Sequence, residues 1–218
     1  MQSNIASRGL EGLTVTTFLV RPGKTRIPEV ATNLEIGFEL DRRWHLLRGE
    51  MDESKKPALV ALARVFADAG VPYAIIGGVA LQVHQDEPRT TLDIDLVVES
   101  RARIPAEQLL AAGFQKLGDH QHSQNWTGPG GTPVQITDDP ELASGITRAS
   151  SVDAGGIDLH VLSKADLLKS KLRSGIDPGR RRSKRLQDLA DAAALIESDP
   201  SLAAQLSEAD RQLIASLP

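Results

Sequence analysis

Apolar positions along the chain switch between a helical period and short runs of strand character. Leu59, Leu62, Phe66 and Ala69 recur at three- to four-residue spacing, with Pro57 suited to a first turn and Gly70 to a stop, so a helix is expected there. Tyr73–Ile76 is a short apolar run closed by Gly77-Gly78, which predicts a buried strand and a helix from about Val79. Thr91–Glu99 alternates strongly and predicts a strand; Ile104–Ala112 predicts a helix stopped by Gly113. Short strands are expected near Phe114, Asn125 and Val134 and over Ile157–Leu162. Further on, Ser163 with Asp166 forms a capping-box pattern, with Leu162 and Leu167 as the staple, and Ser207 with Asp210 repeats the box. Between them, about Arg182–Glu197 reads as a helix with a stripe of Leu186, Leu189, Ala193 and Ile196. The first fifty residues differ: strands are expected at Leu13–Val20 and Ala31–Leu40, as a small β extension or a partly disordered one.

These elements predict an α+β fold, a mixed β-sheet flanked by helices. The expected divisions are an N-terminal extension over 1–50, a core over 51–162 and C-terminal helices over 163–218 packed on that core. Composition narrows the chemistry. The 218 residues include no cysteine, which excludes disulfides, thiolate metal sites and a thiol nucleophile. A net charge of −4 argues against a broadly basic nucleic-acid binder while leaving room for a local basic patch. With 3% aromatics the core must be built mainly from Leu, Ile, Val and Ala. No apolar run reaches the roughly 18–20 residues of a membrane helix, and Leu13–Val20 lacks a basic leader, so a cytoplasmic protein with no membrane partner is expected.

The run Arg89-Thr90-Thr91-Leu92-Asp93-Ile94-Asp95-Leu96-Val97-Val98 carries the most information. In a strand, Arg89, Thr91, Asp93 and Asp95 share one face, and Thr90, Leu92, Ile94, Leu96 and Val98 share the other. The second face is core, while the first needs another reason. Asp93 and Asp95 would lie about 7 Å apart and repel by roughly 2 kcal/mol. A divalent cation between them removes that repulsion; a solvated edge face, with Arg89 pairing one aspartate, also would. The strand, glycine turn and helix start at Gly77-Gly78 put backbone N–H groups at a positive dipole end, which suits a phosphate. A phosphate cradle followed by a two-carboxylate strand makes a coherent site for a metal-bound triphosphate.

Lys171 shares a helix stripe with Leu167, Leu168 and Leu172, so it either meets an anionic partner or snorkels to water. Arg180, Arg181, Arg182, Lys184 and Arg185 crowd a helix start, where cations oppose the dipole. Most read as a solvated basic loop with Lys184–Asp188 pairing, whereas Arg182 continues the apolar stripe and is expected to face inwards. The histidines show no metal-ligand spacing; His84, near the end of the helix after the glycines, could approach phosphates.

The segment from Ile75 to Val98 resembles the nucleotidyltransferase signature of the DNA polymerase-beta superfamily: hydrophobic strand, Gly-Gly, helix, then two aspartates separated by one hydrophobic residue. His84, Arg89 and Thr91 fall where the bacterial abortive-infection, toxin-like branch carries a His and an R-x-T. The leucine-rich segment with Lys171, followed by Arg185-Leu186-Gln187-Asp188-Leu189, is similar to the family's C-terminal pattern. The resemblance covers roughly residues 57–197. It implies that Asp93 and Asp95 bind Mg²⁺ (two metal sites in the full pattern), that Gly77 and Gly78 contact an NTP triphosphate, and that His84, Arg89, Thr91 and Lys171 support the nucleotide; Arg182, as the inward-facing member of the basic cluster, is expected to bind it as well.

The family's third carboxylate falls by chain order on Gln135, a departure, since an amide neither accepts a proton at neutral pH nor binds Mg²⁺ as well as a carboxylate does. Asp158, beside His160, is the expected catalytic substitute; Asp138 or Asp139 is the other. The function this implies is Mg²⁺-dependent transfer of a nucleoside monophosphate from NTP to an acceptor hydroxyl of RNA (a tRNA end included), protein or a small molecule. The rival is a non-catalytic nucleotide-binding or regulatory protein, such as one component of a toxin–antitoxin pair with an antitoxin partner. A third reading is a basic-patch RNA binder without a nucleotide site.

Overall fold

The computed structural model describes residues 32–49, 54–153, 156 and 158–216; the strand expected over Leu13–Val20 lies outside them. These residues belong to one compact unit, Ala31–Pro218. The expectation of a strand over Ala31–Leu40 is corrected: the segment forms helix α1 (Asn33–Leu47). Leu34, Ile36, Phe38 and Leu40 do alternate, but a helical period runs through the same residues. Thr32 and Glu35 close a complete capping box, and Leu34, Gly37, Phe38 and Asp41 form the buried stripe.

The remaining helices are α2 (Lys56–Asp68), α3 (Gly77–His84), α4 (Ala106–Ala111), the short α5 (Pro140–Ala143), α6 (Lys164–Ile176), α7 (Arg182–Ser198) and α8 (Glu208–Ala215). Strands β1 (Tyr73–Ile76), β2 (Ile94–Val98), β3 (Gln115–Asp119), β4 (Ser123–Thr127), β5 (Pro133–Thr137), β6 (Ser150–Asp153) and β7 (Asp158–Val161) form a sheet in the order β3-β4-β5-β2-β1-β7-β6. The β1–β7 and β2–β5 pairs are parallel and the others antiparallel, the mixed sheet and α+β class that the pattern predicts. Trp126, Phe66 and Phe114 are the largest fully buried side chains, and aliphatics fill most of the rest of the core. Among the described residues no helix is long and apolar enough to cross a membrane.

Three central strands set up the site. β1 lies antiparallel to β2 with Ile76 opposite Asp95, and β5 lies parallel to β2 with Gln135 opposite Asp95. The C-terminal end of β1 and the N-terminal ends of β2 and β5 therefore meet at one edge. β2 is shorter than its alternation predicts: it begins at Ile94, because β1 has already turned into α3 and offers residues 91–93 no ladder partner. Side chains hold that stretch instead. Lys55 Nζ donates to the Thr91 carbonyl (2.8 Å) and Gln82 Nε2 to the Arg89 carbonyl (2.5 Å). Ile94, Leu96 and Val98 are core as expected, but Leu92 is 41% exposed.

Candidate functional site

The turn from β1 into α3 is what the two glycines permit. Gly77 has φ +63°, a backbone that L side chains rarely adopt. A Cβ there would lie 2.2 Å from Oδ2 of Asp95, and a Cβ on Gly78 would lie 2.4 Å from Oγ1 of Thr91. The Asp95 carboxylate and the Thr91 side chain thus rest against bare backbone at the start of α3. Thr91 Oγ1 in turn donates to Oδ1 of Asp93 (2.6 Å). The glycine turn, Thr91 and both aspartates line one cleft of about 1050 Å³, together with Gln135, Arg89 and Lys171.

Neither aspartate of the pair has an ion-pair partner among the described residues. Burial, with the Asp93 charge adding to it, pushes the Asp95 carboxyl up to about 7; Lys171, Arg180 and Lys184 pull it down by less. This is an acid held without the counter-cation that would ionise it. Two carboxylates are what Mg²⁺ ordinarily takes from a protein when phosphate oxygens complete its shell, so the donors fit one such ion. Among the described residues no group of three His, Cys, Asp or Glu side chains could hold a metal.

The cationic wall is built on α6 and α7. Lys171 Nζ lies 2.9 Å from Oδ1 of Asp188 and 2.9 Å from Oδ2 of Asp191. Arg89 pairs with the other oxygen of Asp191, and Arg180 with Asp188 at 3.1 Å. Three cations meet two carboxylates, leaving one net positive charge on this wall, and Arg181 and Lys184 add theirs at the same cleft. Burial pulls the Lys171 ammonium and the Arg89 guanidinium below their ordinary values.

Several expected members lie elsewhere. Asp158 is exposed near Tyr73 and accepts from Ser151 Oγ. With Ile75 opposite Val161, it sits at the start of β1, roughly 16 Å along the strand from Gly77. Asp138 and Asp139 fall beyond the far end of β5, bound to Arg101 (2.9 Å) and Arg173 (2.6 Å). None of the three reaches the aspartate pair, so Gln135 has no substitute among them. Gln135 Nε2 has only long contacts to Ser123 Oγ (3.4 Å) and Asn125 Oδ1 (3.5 Å). His84 closes α3 at the end away from the glycines, where its Nε2 donates to the Leu162 carbonyl (2.7 Å), and burial holds its pKa down. Arg182 is exposed and off the cleft, because the buried stripe of α7 runs Asp188, Leu189, Asp191, Ala192 and Leu195 instead of through Leu186.

Sequence reasoning missed Asp191 and the pair Asp41–Lys55. For Asp191 the available signal is a second aspartate three residues after Asp188, one turn of helix, with Lys171 on the preceding helix in need of a partner. Lys55 Nζ lies 2.5 Å from Oδ2 of Asp41, with both side chains almost fully enclosed, and this bond ties α1 to the Thr91 carbonyl. Burial pushes Asp41 up and Lys55 down, the cost of keeping such a pair from water. No pattern in the sequence announces it.

A mixed sheet whose central strands present two unpaired carboxylates to a glycine turn defines a recognisable architecture. No protein-family model matches the sequence, and no curated protein matches it. Among solved structures, ANT(2'')-Ia, described as an antibiotic-resistance factor, shares the fold: in its solution structure with 14% identity and a TM-score of 0.52, over 74% of this chain and 92% of that one. The same protein in complex with adenylyl-2''-tobramycin gives 16% identity and a TM-score of 0.52, over 75% and 98%. The chain has the nucleotidyltransferase fold.

Proposed function

We propose that the cleft binds an NTP with Mg²⁺ and transfers its nucleoside monophosphate to an acceptor hydroxyl, releasing pyrophosphate. The observation that carries this reading is the aspartate pair, without an ion-pair partner among the described residues, packed against a glycine turn that leaves no room for a Cβ. Asp93 and Asp95 would hold the ion, and Mg²⁺ when bound supplies charge stabilisation to the phosphate oxygens. Gly77 and Gly78 present backbone N–H groups to the triphosphate at the start of α3. Arg89 and Lys171, kept charged and fixed by Asp188 and Asp191, offset phosphate charge as it develops. Thr91 orients Asp93 through its hydroxyl. Arg89 and Thr91, both at the site, favour the abortive-infection branch, in which an antitoxin partner is expected. RNA, protein and small-molecule hydroxyls are all open as acceptors.

Gln135 favours a second reading, nucleotide binding without efficient turnover. It stands directly across from Asp95, where a carboxylate would accept the acceptor's proton, and no other acid on β5 or β7 replaces it. One experiment separates the two. The protein is incubated with each labelled NTP, Mg²⁺ and total RNA, alongside Asp95→Asn and Gln135→Asp. Label on RNA or on the protein, lost in Asp95→Asn, supports the enzyme. No transfer by the natural chain, with NTP binding retained and label appearing only with Gln135→Asp, supports the binding protein.

A further inference from the structure

The carboxylate pair, the glycine turn and the cations account for the phosphate end of a nucleotide, yet the cleft has another wall they do not explain. It comes from α1, the helix that precedes the nucleotidyltransferase core. Leu40, Trp44 and Leu47 line the cleft from α1, at the three- and four-residue spacing that puts them on one helix face. Leu92 joins them from the stretch between Thr91 and Asp93, its side chain exposed where strand alternation would have buried it.

This face is apolar and open. Trp44 is 50% exposed and Leu47 88%. The chain has only two tryptophans and 3% aromatics, and the other tryptophan, Trp126, is fully buried. Leaving a large ring half in water forfeits burial worth roughly 25 cal/mol per Å², so a partner that covers it is favoured. The face is fixed rather than loose. Asp41, one turn before Trp44, is bonded to Lys55, and Lys55 holds the Thr91 carbonyl next to Leu92. At the other end of α1, Gln82 of α3 packs against Gly37 so closely that a Cβ there would lie 2.2 Å from Nε2.

Within one cleft, then, an apolar wall with an indole lines one part, the acid pair another, and Arg180, Arg181 and Lys184 gather around the start of α7. That succession matches the parts of a nucleotide: a planar, weakly polar base at one end and anionic phosphates with their cation at the other. Leu92 and Asp93 are consecutive, so a group bound at the metal end is within one residue's reach of the apolar wall.

We propose that Trp44, with Leu40, Leu47 and Leu92, is the subsite for the base of the bound NTP, making α1 part of the active site. The proposal rests on the nucleotide reading above. Stacking on one aromatic ring is worth enough for Trp44→Ala to weaken NTP binding by roughly tenfold, with little choice among bases because every base has a π face.

The test is calorimetric titration of the full chain with Mg²⁺–ATP, Mg²⁺–UTP, Mg²⁺–tripolyphosphate and a short single-stranded oligonucleotide, using the natural protein, Trp44→Ala and Trp44→Phe. The expected result is a tenfold loss for both NTPs in Trp44→Ala, recovery in Trp44→Phe, and unchanged tripolyphosphate binding, which also shows that the variant is folded. Equal NTP affinity in Trp44→Ala, with tripolyphosphate still bound, overturns the subsite and leaves the nucleotide reading standing. Loss confined to the oligonucleotide overturns it in favour of an acceptor strand on this wall. If the natural protein binds neither NTP nor tripolyphosphate, the nucleotide reading falls and the subsite with it.

Discussion

Asp95 concentrates the energetics of the site in one carboxyl. An unfolded aspartate titrates near 3.9, whereas Asp95 in the fold is pushed up to about 7 by burial and by Asp93. Between those values the folded protein holds a proton that the unfolded chain has released, so stability falls as pH rises from about 4 to about 7. We expect a Tm that declines across this window and, at pH 8, is restored by Mg²⁺. Asp95→Asn removes the decline and raises Tm at pH 8 by roughly 5 °C, since the amide has nothing to ionise. Thermal melts at pH 5 and pH 8, with and without Mg²⁺, check both. Gly77 is constrained from the other side. Gly77→Ala sets a Cβ against the Asp95 carboxylate and forces an alanine into the left-handed region, at about 1–2 kcal/mol for the backbone alone. Equilibrium unfolding and NTP titration of this variant should show lower stability and at least tenfold weaker binding. Both glycines and both aspartates are legible in the sequence, because a turn and a two-residue repeat are local features. Gln135 is singled out only through the family resemblance, and its register opposite Asp95 is set by the β2–β5 pairing. Asp158 misled because strand alternation gives the face a residue is on but says nothing of its height along the sheet.

At the scale of elements, the helices supply what the strands cannot. Lys171 on α6 bridges Asp188 and Asp191 on α7, and Arg89 reaches Asp191 from the stretch before β2. Lys171→Met would leave Asp191 with Arg89 and Asp188 with Arg180, one cation each in place of two, so it weakens the cluster without leaving either carboxylate unpaired. We expect a Tm drop of roughly 5 °C, read by calorimetry. The pair Asp41–Lys55 fastens α1 in the same way. Lys55→Met alone leaves the buried Asp41 carboxylate without that cation and should destabilise by about 3–5 kcal/mol, while the double variant Asp41→Leu/Lys55→Met should recover most of it, because an apolar pair of similar volume replaces the ion pair without a desolvation penalty. Denaturant unfolding of the three variants as a cycle measures this coupling. Sequence reading reached the ends of these elements better than their partners. Capping boxes placed the starts of α6 and α8, and Gly70 and Gly113 the stops of α2 and α4. On α7 apolar spacing predicts a stripe through Leu186 and Arg182; the buried face instead carries Asp188 and Asp191, which tertiary ion pairing makes tolerable there. For α1 two periods coexist in the same ten residues, and only the Thr32–Glu35 box separates them.

For the whole molecule, one edge of the sheet gathers contributions from distant parts of the chain. The turn from β1 into α3 supplies the glycines, β2 and the residue before it the acid pair, and β5 Gln135; α1 supplies the apolar wall; α6, the start of α7 and Arg89 supply the cations. Mixed pairing is what allows this, since antiparallel β1 and parallel β5 both bring an appropriate end to the start of β2. The fold class could be read from the sequence because alternating strand and helix patterns leave few arrangements of a mixed sheet. Which residues of α1, α6 and α7 would face the acids could not, since helix rotation against a sheet is decided by long-range contacts. The account turns on the acid pair serving as the cation seat of a nucleotide. Calorimetric titration of ATP into the full chain, in Mg²⁺ and then in EDTA, with Asp93→Asn/Asp95→Asn in parallel, tests that most directly. The account predicts saturable one-site binding that requires Mg²⁺ and is lost in the double variant. Binding that persists undiminished in EDTA, or in the double variant with Mg²⁺ present, would contradict it.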